Sequence, residues 1–368
     1  MRESPGPIFP CYKLYYWTDT LDICAIMLSF FSFVANLSVG ILLFLLRSKK
    51  VETLALLRVL SLSCLSSAFV NILEDLGARS PDTGSNLVDS LICVLWSSRF
   101  AFWYTNAHIY NSLFYFACSR ALEMLRIPNY PITTEKQRLT TFMLLIFISS
   151  FLGTAPQLLL AHPHAKDCAC APITENLDIL TVVYAHAYLW VAIFGLIYPA
   201  ILVYICIALV LRARRSERAT LLDELDQLSF RNFRSASTTT NTASTHPITP
   251  LSHRVPSSGD KSTAATLEKS THFWSASFCI LPLTAAYTAS VIFEATCQLL
   301  STAGVFTYKL RSPTNRFSGI LMNLFTALVP LILFFHIPAM RSLIFAAIEF
   351  LKTRRRKVTL AEAGGQSG

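Results

Sequence analysis

Few residues in this chain are of a type and spacing that could do chemistry. The sequence has no HExxH, no GxSxG and no paired carboxylates inside its apolar runs, so neither zinc-hydrolase nor serine-hydrolase chemistry is expected. The only close cysteine pair, CAC at Cys168–Cys170, is tighter than the usual zinc spacing. No enzyme, metal or cofactor is therefore expected. What remains is a handful of ionisable groups at the edges of apolar stretches. Arg120 ends the run FYFACSRALEMLRIP, with Glu123, Arg126 and Pro128 behind it. Glu74–Asp75 and Glu294 could receive a cationic group, and Arg99 an anionic one. Charged residues in membrane helices are functional candidates by default.

The elements that carry these residues follow from composition. The chain has 368 residues, 53% hydrophobic and 14% charged, with mean hydropathy +0.48. Soluble domains carry about 25% charge, so this is a membrane protein. The net charge of +9 sits between apolar runs, so no nucleic-acid partner is expected. The first apolar run is too long for a signal-peptide core.

A membrane helix needs about 20 mainly apolar residues. Seven spans are predicted, at about 21–46, 54–76, 87–118, 139–161, 179–211, 272–300 and 317–337. The second and third are interrupted by Ser, Asn, Arg and His, which belong in a bundle interior rather than in lipid. Most of the 31 Lys and Arg fall after spans one, three, five and seven. That places the N-terminus outside and the C-terminus in the cytosol. The expected organisation is an extracellular segment 1–20, spans one to five over 21–212, a cytoplasmic loop 213–271, spans six and seven over 272–338, and a tail 339–368.

The loop 213–271 has two parts. RARRSERATLLDELDQL continues span five as an amphipathic helix, with Leu221, Leu222, Leu225 and Leu228 at helical spacing. The Ser/Thr/Pro-rich remainder is expected to be disordered and offers hydroxyls to kinases, Ser257 among them. After span seven, Met340, Leu343, Ile344, Ala347, Ile348 and Leu351 form an apolar stripe beside Arg341, Lys352 and Arg354–Arg356. This predicts a short amphipathic helix on the inner leaflet.

Several positions resemble those of rhodopsin-like G protein-coupled receptors. FVANLSVGI puts Asn36 at the family's helix-one asparagine, and LSLSC puts Cys64 where the family has an aspartate. SRA at Ser119–Ala121 stands for the family's Asp-Arg-Tyr. Pro156, Pro199, CILP with Pro282, and VPLIL with Pro330 match the family's membrane prolines, while Ile280 replaces a tryptophan. Tyr204 lies one turn nearer than the family's helix-five tyrosine.

The resemblance implies an all-α, seven-transmembrane helix bundle in the plasma membrane, followed by the short amphipathic helix. It implies an outer disulfide from Cys93 to Cys168 or Cys170; the remaining cysteine pairs with Cys11 or Cys297, or stays free. A thiol at Cys64 cannot serve Na⁺ as a carboxylate does. Without the family's acidic neighbour, Arg120 has no adjacent carboxylate to hold it. Arg120, Pro282 and Pro330 are the switch candidates. Arg99, Phe100, Trp103, Tyr104, His186, Tyr287, Glu294 and Asn323 are the ligand-pocket candidates. Phe100 stands where amine receptors have an aspartate, and Asn323 where opsins have the retinal lysine. The implied function is a receptor passing an extracellular peptide or small chemosensory signal to a heterotrimeric G protein, with the bilayer as its other partner. The alternatives are a non-coupling receptor-like protein and a transporter, although the chain shows no repeat and no mid-depth charge cluster.

Overall fold

The computed structural model describes residues 20–47, 51–75, 98–125, 134–163, 168–170, 177–215, 229–230, 276–302 and 313–343, with isolated positions between 85 and 95 and residue 305. Helix α1 is Thr20–Leu45, α2 Val51–Asp75, α3 Phe100–Leu125 and α4 Glu135–Leu152. Helix α5 runs as Leu177–Trp190, a π-helical turn Val191–Ile197, and Tyr198–Arg215. Helix α6 is Ile280–Thr302, entered through a 3₁₀ turn at Ala276–Cys279, and α7 is Pro313–His336. Strand β1 (Leu46–Arg47) pairs antiparallel with β4 (Ser229–Phe230), and β2 (Ala161–Pro163) with β3 (Cys168–Cys170). The described part is thus a helical bundle with two minimal strand pairs.

Six of these helices are long and apolar enough to cross a membrane. Helix α3, at 26 residues, has the length but not the apolarity, because Asn106, His108, Asn111, Ser112, Ser119, Arg120 and Glu123 lie along it. It packs against α2, α4 and α5, and Asn106, Asn111, Ser112, Ser119 and Arg120 are all buried. The one long described helix that falls short of spanning apolarity is therefore the central one. In lipid, polar side chains belong inside and apolar ones outside.

Helix α1 shows the same inversion. Ser29, Ser32, Asn36, Val39 and Leu43 face inward at three- and four-residue intervals, while Met27 (67% exposed) and Phe44 (62%) face outward. In water such a surface would aggregate; in a bilayer it is the solvent-matched face.

The long helix of span three begins later than the apolar pattern suggests. Ser98 and Arg99 form a turn, and Arg99 has a left-handed φ of 54°, a conformation that cannot continue a right-handed helix. Helix α4 starts at N-cap Thr134, whose side chain accepts from the Gln137 N–H, and it ends before Pro156, which lies in a 3₁₀ turn rather than in the helix.

Cys11, Cys93, Arg311, the loop from 216 to 228 and from 231 to 271, and the tail beyond Leu343 lie outside the described residues. So do the side chains of Cys168 and Cys170. The expected outer disulfide, the amphipathic extension of span five, the Ser/Thr-rich segment and most of the amphipathic tail fall there.

Candidate functional site

Two prolines organise the interior. Pro330 lies inside α7 and has no N–H to give the carbonyl of Thr326, four residues earlier. Asn36 of α1 supplies the missing donor: its Nδ2 reaches the Thr326 carbonyl at 3.0 Å. Pro199 acts similarly in α5. In the π-helical turn the Tyr198 N–H goes to Ile193, and Pro199 has no N–H for Phe194. Tyr287 of α6 donates its hydroxyl to that Phe194 carbonyl at 2.7 Å. Both carbonyls are thus re-satisfied from neighbouring helices, as a bilayer interior demands.

Arg120 sits at the C-terminal part of α3 and is 2% exposed. Its Nη1 pairs with the Glu123 carboxylate and lies 3.5 Å from Thr53 Oγ1. Next to it, Ser119 Oγ donates to Glu52 Oε1 at 2.6 Å, and Arg138 Nε donates to Glu52 Oε2 at 2.6 Å. The Glu52 backbone N–H in turn donates to Glu135 Oε1 at 2.9 Å. Five charged side chains at one end of α2, α3 and α4 form a linked set. The expectation that Arg120 has no local carboxylate is corrected: Glu123, one helical turn on, holds it. Arg120 is also buried, not open at the bundle end. Burying an arginine is costly unless it is paired and hydrogen-bonded, and Glu123 supplies the pairing carboxylate.

Four of the ligand-pocket candidates bond across the bundle. Asn323 Oδ1 accepts from Asn71 Nδ2 at 2.5 Å, and its own Nδ2 donates to Ser29 Oγ at 3.1 Å. It joins α7 to α2 and α1. Glu294 is 4% exposed, accepts from Gln298 Nε2 at 2.7 Å, and takes a further hydrogen bond from Ser318. It ties α6 to α7 and is not a solvated rim group. His186 Nε2 lies 2.5 Å from the Gly153 carbonyl, joining α5 to the end of α4. Tyr287 serves the Phe194 carbonyl. These four tie neighbouring helices together.

The aromatic candidates divide between two faces. Trp103 packs edge-on against Trp190 at 5.3 Å, and Trp190 on Phe194 at 4.4 Å. Tyr110 then lies 5.7 Å from Phe194 and 5.0 Å from Tyr287, so the bundle's own rings fill the centre. Phe100 and Tyr104 instead stack at 5.7 Å and turn toward Phe151 and Phe147 of α4, which are themselves exposed to the bilayer side.

Arg99 donates to Glu74 Oε2 from Nη2 at 2.7 Å and from Nε at 3.0 Å, with its guanidinium 4.2 Å from the Phe102 ring. Arg99 and Glu74, expected to take opposite ligand charges, therefore neutralise each other. Both remain partly exposed, at 31% and 14% for the side chains. Asp75 lies 3.5 Å from Ser29 Oγ.

Cys64 and Ile280 are buried in the core. Tyr204 is 70% exposed on the outside of α5, so it does not reach into the bundle. Pro282 stands in the first turn of α6, following the 3₁₀ turn, and not at a mid-helix hinge. Among the described residues Cys24, Cys64, Cys118, Cys206, Cys279 and Cys297 are free thiols. Among the described residues no group of three His, Cys, Asp or Glu side chains could hold a metal.

Sequence reasoning passed over Glu52, Asn71, Asn111 and Tyr198. Asn111 donates to Ser150 at 2.9 Å and accepts from the Tyr198 hydroxyl at 2.7 Å, tying α3 to α4 and α5. A polar side chain within an otherwise apolar span was the available signal for Asn71, Asn111 and Tyr198, whereas Glu52 stands just before the expected second span. No model of a known protein family matches the chain, and no curated protein is significantly similar to it.

Proposed function

We propose that the chain is a seven-span receptor of the plasma membrane, N-terminus outside and C-terminus in the cytosol, that couples an extracellular ligand to a heterotrimeric G protein. Helix α3 is the seventh span in this account, shielded from lipid by its neighbours. The observation that carries the proposal is Arg120, buried at the end of the central helix and held by Glu123 beside the Glu52–Arg138 pair. A buried arginine held by one carboxylate at a helix-bundle end can serve as a two-state element: held in one state, released to a partner in the other. The Asn36–Thr326 hydrogen bond beneath Pro330 supports the resemblance, since Asn36 and Pro330 occupy family positions.

The Arg99–Glu74 pair, at the opposite end of α2 and α3, is the place where a charged peptide or small chemosensory ligand would compete. A ligand that opens this pair favours one of the two states only by its differential affinity for them. The test is ligand-dependent nucleotide exchange on a co-expressed G protein. Arg120→Ala is expected to abolish exchange while surface expression persists. Unchanged exchange in that variant would reduce Arg120 to an anchor, and no exchange from a broad ligand panel at confirmed surface expression would remove the coupling function.

A further inference from the structure

Where α1 ends, Leu46–Arg47 runs extended as β1 and pairs antiparallel with Ser229–Phe230 of β4, with Leu46 opposite Phe230 and Arg47 opposite Ser229. Arg58 of α2 fixes this edge. Its Nε donates to the Leu43 carbonyl and its Nη2 to the Leu46 carbonyl, each at 3.0 Å, while its guanidinium lies 5.2 Å from the Phe44 ring. Leu46 is buried and Arg47 exposed. A strand edge held in place presents backbone groups that a second strand can pair with.

The strand on this edge belongs to the α5–α6 connection, which starts on the other side of the bundle. Helix α1 packs on α2 and α7, whereas α5 packs on α3 and α6. From Arg215, where α5 ends, to Ser229 the chain reaches about 50 Å at full extension. Packed helix axes are about 8–10 Å apart, so that length is more than the crossing needs. Connectivity alone therefore does not bring β4 to β1. The pairing is a contact in its own right.

The contact lies at the Arg120 end. β1 leads into α2, whose first turn holds Glu52 and Thr53. Glu52 accepts from Ser119 at 2.6 Å, and Thr53 Oγ1 is 3.5 Å from Arg120 Nη1. A partner protein that approaches Arg120 past the start of α2 meets the β1–β4 pair. We infer that the α5–α6 connection docks on β1 as an added strand and restricts access to the Arg120 end, an autoinhibitory contact that a G protein must displace. The docking is read from the strand register; the autoinhibitory role rests on the proposed coupling.

The test uses the full chain in lipid nanodiscs. Residues 47 and 229 stand directly opposite, which puts their Cβ atoms about 5 Å apart, close to disulfide reach. Under mild oxidation of Arg47→Cys/Ser229→Cys, peptide mapping is expected to find the 47–229 link formed about tenfold faster than the 47–235 link of an Arg47→Cys/Ser235→Cys control. Basal nucleotide exchange on a G protein is expected to fall several-fold on linking and to recover with reductant. Ser229→Pro/Phe230→Pro, which removes both strand N–H groups, should raise it about fivefold. Linking no faster than in the control overturns the docking, whatever the exchange rates. Linking with measurable exchange that neither oxidation nor the prolines change overturns the autoinhibitory role and leaves coupling standing. Exchange absent from every variant, Glu123→Gln included, removes coupling and the autoinhibitory role together.

Discussion

Asn36 of α1 donates to the carbonyl of Thr326 in α7 at 3.0 Å, the carbonyl that Pro330 leaves without its helical donor. Tyr287 does the same for Phe194 beside Pro199. Two helices bent by proline are thus closed by side chains 290 and 93 residues away in sequence. Membrane prolines are tolerated where a neighbour repairs the ladder, and here the neighbours are identified.

This repair makes a quantitative expectation. Tyr287→Phe leaves the Phe194 carbonyl buried without a donor and should destabilise the protein by about 1–3 kcal/mol. In a Pro199→Ala background the restored N–H offers that carbonyl another partner, so the same substitution should cost less. A double-mutant cycle read by thermal unfolding checks this. Equal costs in both backgrounds would separate Tyr287 from Pro199.

The π-helical turn also sets how close α5 and α6 come. A Cβ on Gly195 would lie 2.8 Å from the Ala295 Cβ, well inside carbon–carbon contact. Gly195→Ala should therefore cost about 1–3 kcal/mol through overpacking. Adding Ala295→Gly should recover part of that loss in the same unfolding assay, and no recovery would place the strain elsewhere.

The Glu52 carboxylate, buried with 1% exposure, holds Arg138 and Ser119 together. Glu52→Gln removes the charge-assisted hydrogen bonds to Arg138 and Ser119, a loss expected at about 1–3 kcal/mol since Arg138 is partly exposed. Because α2, α3 and α4 meet there, basal nucleotide exchange should also rise. A variant that is destabilised but silent would make Glu52 structural only.

At the other bundle end, Arg99→Gln is expected to lower ligand-dependent exchange while barely moving stability. The Arg99–Glu74 pair is partly exposed, and exposed pairs contribute about 0–1 kcal/mol. A large fall in the unfolding midpoint, with ligand response intact, would reverse that assignment.

Much of the bundle could be read from the chain. Span one was expected at 21–46 and lies at Thr20–Leu45, and span seven was expected at 317–337 and lies at Pro313–His336, because uninterrupted apolarity marks such helices directly. Span three was expected at 87–118; Leu87, Val88, Leu91, Val94 and Leu95 are helical, but a turn at Ser98–Arg99 separates them from the long helix Phe100–Leu125. The site was less legible than the fold. Glu123 stands in plain view three residues after Arg120, but Glu52 reaches Ser119 across 67 residues, and only packing brings it there. Tyr287 and Glu294 look like ligand contacts in sequence. Their partners, a carbonyl freed by a distant proline and a serine on the next helix, exist only once the helices assemble.

The most direct test of the central claim needs no ligand. Purified protein in nanodiscs is mixed with representative heterotrimeric G proteins, and nucleotide exchange is measured for the wild type, Glu123→Gln and Glu123→Gln/Arg120→Ala. Releasing Arg120 from Glu123 is expected to raise basal exchange several-fold for at least one G protein, and removing Arg120 in the same background to return it to the empty-nanodisc level. Exchange that stays at that level in all three proteins, with each of them folded, would contradict the receptor account.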